Sequence, residues 1–158
     1  MKKYSIEIKW TILFFVISLF WMVLERLAGL HDKHIELHAI ITNLFGLVAI
    51  IIYALALLDK RRNFYEGKMN WIQGFITGLI ITFGITLLTP LSQYITVTLI
   101  SPHFFDNMIT YSVESGRMTS EQAHEMFNMQ SYMIQSTIFA PVAGIITSAI
   151  VAVFTRKQ

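Results

Sequence analysis

Two histidines one helical turn apart have a spacing that allows both to bind one metal ion. In the segment HDKHIELH, His34 and His38 stand at positions i and i+4. If Asp32 caps the helix that follows, both imidazoles share one face and are placed to chelate a divalent metal. His31, Asp32 or Glu36 would add a ligand. The alternative is a solvated turn with interfacial histidines. The segment is therefore a candidate metal site, or a group that responds to pH near neutrality.

A second set of polar residues lies inside apolar stretches. Glu25 is the only acid well within such a stretch, five residues before Leu30 and so about 7 Å from the outer end by helical rise. Asn43, Gln93 and Gln135 lie at a similar depth on three other stretches. Ionisable groups within a membrane are functional candidates by default. These four residues predict either a small polar pocket that faces outward or a set of hydrogen bonds between helices.

Four long apolar stretches must position these side chains. A membrane-spanning helix needs roughly 20 mostly apolar residues. Four stretches meet this length, at about residues 10–28, 39–58, 71–100 and 132–154, and an amphipathic segment covers 101–131. Each stretch is too long for a buried strand. The sequence predicts an all-α membrane protein with four transmembrane helices in one domain, residues 1–158. Pro90 either kinks or ends the third helix.

The composition agrees with a membrane protein and excludes several functional classes. The chain is 54% hydrophobic and 14% charged, whereas soluble domains average about 25% charged residues. There is no cysteine, which excludes disulfides, cysteine metal sites and thiol nucleophiles. A scattered net charge of +2 argues against nucleic-acid binding. No nucleophile elbow, P-loop or dinucleotide-binding motif is present, so neither catalysis nor a resident cofactor is expected.

Basic residues predict the orientation of the chain. The basic residues assigned to one side are Lys2, Lys3, Lys9, Lys60, Arg61, Arg62, Lys68, Arg156 and Lys157, and the other side has Arg26, Lys33 and Arg117. Lysine and arginine are enriched in short cytoplasmic loops. We therefore expect both termini in the cytoplasm, with the five histidines and most acids on the opposite side.

The segment between the third and fourth stretches predicts a helical cap. Ser101 and Pro102 are typical of a helix start, and Gly116 is typical of a helix end. Thr119 and Gln122 have the spacing of a capping box, and the helix they begin is expected to continue into the fourth span. The cap is either a lid or partner-binding surface, or an amphipathic helix lying at the headgroup level.

Small residues recur every four positions in the third and fourth stretches. The ladders are Gly74, Gly78, Thr82, Thr86 and Pro90 in the third, and Ser136, Ala140, Gly144, Ser148 and Ala152 in the fourth. Small residues let helix backbones approach closely in lipid. The ladders predict that these two helices pack on each other over part of their length, and the rest of a ladder packs on another span or forms a seam with another protomer.

Several stretches together resemble a known family. They are MKKYSIEIKW, HDKHIELHAIITNLF, LLDKRRNFYEGKMNWIQGFITGLI and SVESGRMTSEQA. They are similar to the bacterial membrane family called domain of unknown function 4199, over essentially the whole chain. The resemblance implies a four-span protein of the bacterial inner membrane. It implies no activity and no catalytic residues.

Two functional hypotheses follow. The first is a non-catalytic accessory, scaffold or assembly factor, with the lipid bilayer and either a second copy or a membrane-protein partner around it. The second is an outward-facing binder or transporter of a small cation, either a metal ion or a proton. In that case the four polar residues within the apolar stretches would line the pocket, with His34 and His38 at its mouth.

Overall fold

The structure is a computed structural model that describes residues 4–157, and the regular structure in this range is helical. The helices are α1 Ser5–Leu27, α2 Ile35–Asn43, α3 Phe45–Asn63, α4 Trp71–Ile95, α5 Phe104–Glu114, α6 Ser120–Met126 and α7 Met129–Thr155. Lys2 and Lys3 lie outside the described residues.

Four helical segments are long and apolar enough to cross a membrane, which confirms the predicted fold class. They are Ser5–Leu27, Ile35–Asn63, Trp71–Ile100 and Met129–Thr155. The second segment combines α2 and α3, which are separated at Leu44. The third combines α4 with a π-helical turn, Thr96–Ile100.

Pro90 lies inside α4 and does not end it, since the helix continues to Ile95. A proline removes one backbone donor, which membrane helices tolerate because nearby side chains and local changes of helical pitch satisfy the freed groups. The carbonyl that loses its backbone donor is that of Thr86. Two nearby threonine hydroxyls bond to other carbonyls of the same segment, Thr86 to Thr82 and Thr96 to Ser92. The wider π-helical turn then begins at Thr96.

The cap begins later than its sequence predicts. Residue His103, not Ser101, holds the N-cap position of α5, and its side chain forms no capping bond. Ser101 is fully buried, and its hydroxyl accepts a hydrogen bond from Arg26 Nη1 at 3.1 Å. The predicted Ser101 cap is therefore wrong because this hydroxyl is engaged by a tertiary contact.

The end of the cap is partly as predicted. Gly116 follows α5 with a φ of +69°, and the Thr119–Gln122 capping box is present with both reciprocal bonds. The expected continuation of that helix into the fourth span is wrong. Helix α6 ends at Met126, and α7 starts anew with the Asn128 carboxamide oxygen accepting from the Ser131 amide.

The chain divides into two compact units, and the first is rich in basic residues. This basic unit comprises the described residues up to Val16, Gly46–Leu88, and those from Ile138 onward. Its core consists of Tyr53, Ala56, Leu57, Met69, Ile81, Val151 and Ala152. It holds seven basic and three acidic side chains.

Within the basic unit, the small residues of α4 and α7 lie against each other. A Cβ added at Gly78 would collide with the Ser148 side chain, and one added at Gly144 would collide with Thr82. A Cβ added at Gly74 would come within 3.3 Å of Ala152 Cβ, a tight contact rather than a collision. These contacts are within one chain, so this part of the two ladders is occupied by internal packing.

The first two positions of the α7 ladder are less buried than the other three. Ser136 is half-buried, and its hydroxyl donates to the Tyr132 carbonyl of its own helix at 2.7 Å. Ala140 is also half-buried.

The second unit is rich in acidic residues. This acidic unit comprises Ile17–Phe45 and Thr89–Thr137. It holds seven acidic and three basic side chains, together with all five histidines of the chain. The basic unit has four more basic than acidic side chains, and the acidic unit has four more acidic than basic side chains. This difference follows from the loops and helix ends that each unit contains.

Candidate metal centre

The centre is built around the carboxylate of Glu25, near the end of α1. Trp21 lies one helical turn earlier, and its indole Nε1 donates to Glu25 Oε1 at 2.6 Å. Glu25 is only 2% exposed. A buried carboxylate needs partners for both oxygens, because an unpaired charge in an apolar setting is costly. Trp21 occupies one oxygen and leaves Oε2 for other ligands.

A tight turn after α1 brings His31 back onto Glu25. Gly29 has a φ of +76°, a left-handed conformation that glycine adopts without steric cost. The Leu30 amide donates to the Glu25 carbonyl, and the Gly29 amide donates to the Arg26 carbonyl, both at 3.0 Å. These two bonds define a Schellman motif. The turn places His31 Nε2 3.2 Å from Glu25 Oε2.

His38 completes the cluster from α2. Its Nδ1 lies 3.5 Å from the same Glu25 Oε2, and its ring centroid is 5.2 Å from that of His31. One potential ligand atom from each of the three residues lies within 4.8 Å of the other two. His31 is 1% exposed, so the cluster is enclosed.

Two of the three separations are those of ligands around a tetrahedral metal ion. Zinc ligands at about 2.1 Å from the ion lie about 3.4 Å from one another in a tetrahedron. The distances from Glu25 Oε2 to the two histidine nitrogens, 3.2 and 3.5 Å, bracket that value. His38 Nδ1 is buried and has no hydrogen-bond partner among the described residues. It therefore presents a nitrogen that a cation would satisfy.

The cap covers the cluster. The Phe104 ring, at the start of α5, lies 5.2 Å from the His31 ring and 5.0 Å from the His38 ring, both edge-on. Asn107 Nδ2, one turn along α5, donates to the His31 carbonyl at 2.8 Å. Phe104 is itself buried and contacts Tyr132 of α7. The cap thus fixes both imidazole rings and the backbone that carries one of them.

The structure does not bring the predicted histidine pair together. His34 is exposed, occupies the N-cap position of α2, and lies 3.8 Å from Glu36. The expected Asp32 cap is wrong, since the Asp32 carboxylate instead accepts from the adjacent Lys33 amide. Because of the Schellman turn, α2 begins at Ile35 rather than directly after Asp32. His38 therefore contacts Glu25, whereas His34 precedes the helix and does not join the cluster.

The four residues of the predicted polar pocket differ in their exposure. Asn43 is exposed, and its amide donates to the Ala39 carbonyl of its own helix. Gln135 is exposed and Gln93 is half-buried. The described contacts of the Glu25 carboxylate are instead with Trp21, His31 and His38.

The sequence carried one signal for this arrangement. Glycine following a helical run is a typical helix end, and Gly29 stands four residues after Glu25 and two before His31. Recognising that stop would have predicted a turn that returns His31 to the end of α1. His38 has no such local signal.

The comparisons with known proteins place the chain in a family. The family model described as Protein of unknown function (DUF4199) matches residues 9–157. The chain therefore belongs to this family, as the quoted stretches predicted. No curated protein and no solved structure gave a match to the chain.

Proposed function

We propose that this protein is a membrane-embedded, non-catalytic receptor for a divalent transition-metal ion, held by Glu25, His31 and His38. The observation that carries the proposal is the convergence of two imidazole nitrogens on one buried carboxylate oxygen, at 3.2 and 3.5 Å. Ligands that are held in position before the ion arrives favour binding, and here Trp21 contacts Glu25 while Phe104 contacts both imidazoles.

The donor set indicates the class of metal. Two imidazoles and one carboxylate suit Zn²⁺, Ni²⁺ or Cu²⁺, while Cu⁺ prefers sulfur and Mg²⁺ or Ca²⁺ prefers oxygen. Three protein ligands leave a fourth position for water or an exchangeable ligand. One carboxylate only half neutralises a divalent cation, which favours an anionic or hydroxide ligand at that position.

The charge of the acidic unit supports cation binding. Its seven acidic side chains outnumber its basic ones by four. A surface of one sign raises the local concentration of counter-ions and speeds their capture. Arg26 follows Glu25 directly, but its guanidinium is engaged by Ser101.

We also propose that the metal centre faces the outside of the bacterial inner membrane, with both termini in the cytoplasm. The excess of lysine and arginine in the 59–70 connection and at the C-terminal end supports this orientation. The native chain has no cysteine, so single reporters at Lys33→Cys and Arg62→Cys can be labelled in intact cells. An impermeant maleimide should modify the first and spare the second; the reverse labelling would contradict the orientation.

The metal proposal is tested by titrating Zn²⁺ into the purified protein in detergent. We expect binding of one ion per chain, with a rise in unfolding temperature because a ligand that binds only the folded state stabilises it. Glu25→Gln and His38→Ala should each weaken binding at least tenfold. Co²⁺ in place of Zn²⁺ should give the intense visible absorption of a tetrahedral site.

His34→Ala is the matched control. It removes an exposed histidine four residues from His38 without touching the cluster. Binding that is lost in His34→Ala, or kept in both Glu25→Gln and His38→Ala, would contradict the assignment of ligands. The accessory or scaffold hypothesis would gain support if the wild-type chain bound no transition metal but co-purified with a stoichiometric membrane-protein partner.

A further inference from the structure

The basic unit carries positive charge that its own acids do not neutralise. Lys60 is paired with Glu7 at 2.8 Å in a buried salt bridge, and Lys9 is paired with Asp59. The third acid, Glu66, is exposed and forms no ion pair with the residues that the structure describes. Two of the three acids are thus neutralised by two lysines.

Five other basic side chains have no acidic partner within the described range, and four of them, all but Arg61, are exposed. Arg62 and Lys68 lie in the connection between α3 and α4, and Arg156 and Lys157 follow α7. Like charges on neighbouring segments repel, and a nearby anion reduces that repulsion.

Tertiary hydrogen bonds join these two basic segments. Met69 and Lys157 form an antiparallel bridge, with amide-to-carbonyl distances of 2.8 and 2.9 Å. Arg61 Nη1 also donates to the Thr155 carbonyl at 2.8 Å. Lys68 and Arg156 adjoin the bridged residues in sequence. The backbone therefore gathers basic residues from two distant parts of the chain at one place.

Exposed apolar side chains stand close in sequence to the same basic residues. Phe154, two residues before Arg156, is 82% exposed, and Ile72, four residues after Lys68, is 61% exposed. A ligand that matches this surface has a negatively charged head and an apolar tail. Free phosphate would use only the basic part.

We infer that Arg62, Lys68, Arg156 and Lys157 bind the headgroup phosphate of an anionic phospholipid, whose acyl chains lie along the apolar surface of Phe154 and Ile72. Basic groups next to membrane spans attract anionic headgroups, at about 1 kcal/mol for each lysine or arginine. The bound lipid would offset the repulsion across the Met69–Lys157 bridge. This inference is independent of the metal centre.

Native mass spectrometry of the full chain tests the inference. The protein is purified in detergent and titrated with phosphatidylglycerol, and separately with phosphatidylcholine. We expect a saturable adduct with the anionic lipid. Arg62→Gln/Lys68→Gln and Arg156→Gln/Lys157→Gln should each weaken it roughly thirtyfold, the loss expected for two basic contacts.

Lys33→Gln/Arg117→Gln is the matched control, because it also removes one lysine and one arginine but from the acidic unit. It should retain the lipid. Equal retention in all three double variants, or equal binding of phosphatidylcholine, would overturn the inference. Inorganic phosphate that displaces the lipid at equal concentration would assign the surface to a free anion instead. If a double variant does not fold, the wild-type protein is titrated with the anionic lipid at rising salt concentration. The inference predicts that lipid binding weakens, because salt screens ionic contacts; binding that does not change with salt would overturn it.

Discussion

His38 Nδ1 lies 3.5 Å from Glu25 Oε2, although the two residues are thirteen positions apart and belong to different helices. Neither group alone distinguishes this chain from other membrane proteins. Their approach, with His31 Nε2 at 3.2 Å from the same oxygen, creates a cluster of three potential metal ligands. The turn at residues 28–34 is what makes the approach possible.

Gly29→Ala should unfold more easily than the wild type and bind zinc more weakly. The left-handed φ of +76° is unfavourable for alanine, at a cost of about 1–2 kcal/mol. The new Cβ would also come within 3.3 Å of Asp32 Oδ1. Thermal unfolding in detergent and zinc titration measure the two effects.

Gly46→Ala is the control, since it lies in α3 with open space around it and should be neutral or stabilising by up to about 1 kcal/mol. Equal effects of the two substitutions would contradict the role of the turn.

Phe104→Leu should lower zinc affinity several-fold while the chain stays folded. Leucine keeps most of the apolar volume but loses the edge-on ring contacts with His31 and His38, which hold the imidazoles in place. Phe105→Leu is the matched control, because the ring contacts of Phe105 are with Phe104 and Tyr132. Isothermal titration of both variants provides the comparison, and the same affinity in both would show that the cap does not position the ligands.

Gly78→Ala should destabilise the folded chain by about 1–3 kcal/mol, the usual cost of inserting volume into a close-packed interface. The added methyl group would overlap the Ser148 side chain. The double variant Gly78→Ala/Ser148→Gly should recover part of the loss, because it returns the space to the facing helix. The free energies of unfolding of Gly78→Ala, Ser148→Gly and the double variant together give the coupling energy between the two positions. Strict additivity would contradict direct packing of these two positions.

Lys60→Met should cost about 3–5 kcal/mol, because it leaves the buried Glu7 carboxylate without its cation. Glu7→Leu/Lys60→Met should restore much of the stability, since a buried ion pair replaced by apolar groups is often close to neutral. Lys9→Gln removes the other α1–α3 ion pair, whose lysine is largely exposed, and should cost less than about 1 kcal/mol. Unfolding temperatures in one detergent rank the three variants, and a larger loss in Lys9→Gln than in Lys60→Met would contradict the difference in burial.

Much of the fold was predictable because length and local chemistry define it. Four apolar stretches of spanning length were visible in the sequence, and the structure has four corresponding helical segments. The Thr119–Gln122 box and the Gly116 stop were also predictable, since the bonding partners lie within a few residues. The Ser101 cap failed because a distant residue, Arg26, takes its hydroxyl.

The candidate metal centre was only partly predictable from the sequence. The sequence singled out Glu25 and His38 as polar residues of interest, because an acid in an apolar stretch and a histidine near a helix start are unusual. It paired His38 with His34, since helical spacing alone relates residues only when they lie on the same helix, here at i and i+4.

The sequence by itself determined that the chain has four helices able to span a membrane, which residues carry charge, and to which family it belongs. The tertiary structure decided which of those residues meet. A glycine turn returned His31 to Glu25, α2 brought His38 to the same oxygen, and two backbone hydrogen bonds joined the basic segments at Met69 and Lys157. Composition and periodicity act over one or two turns of helix, whereas a ligand cluster depends on the direction in which the chain leaves each helix.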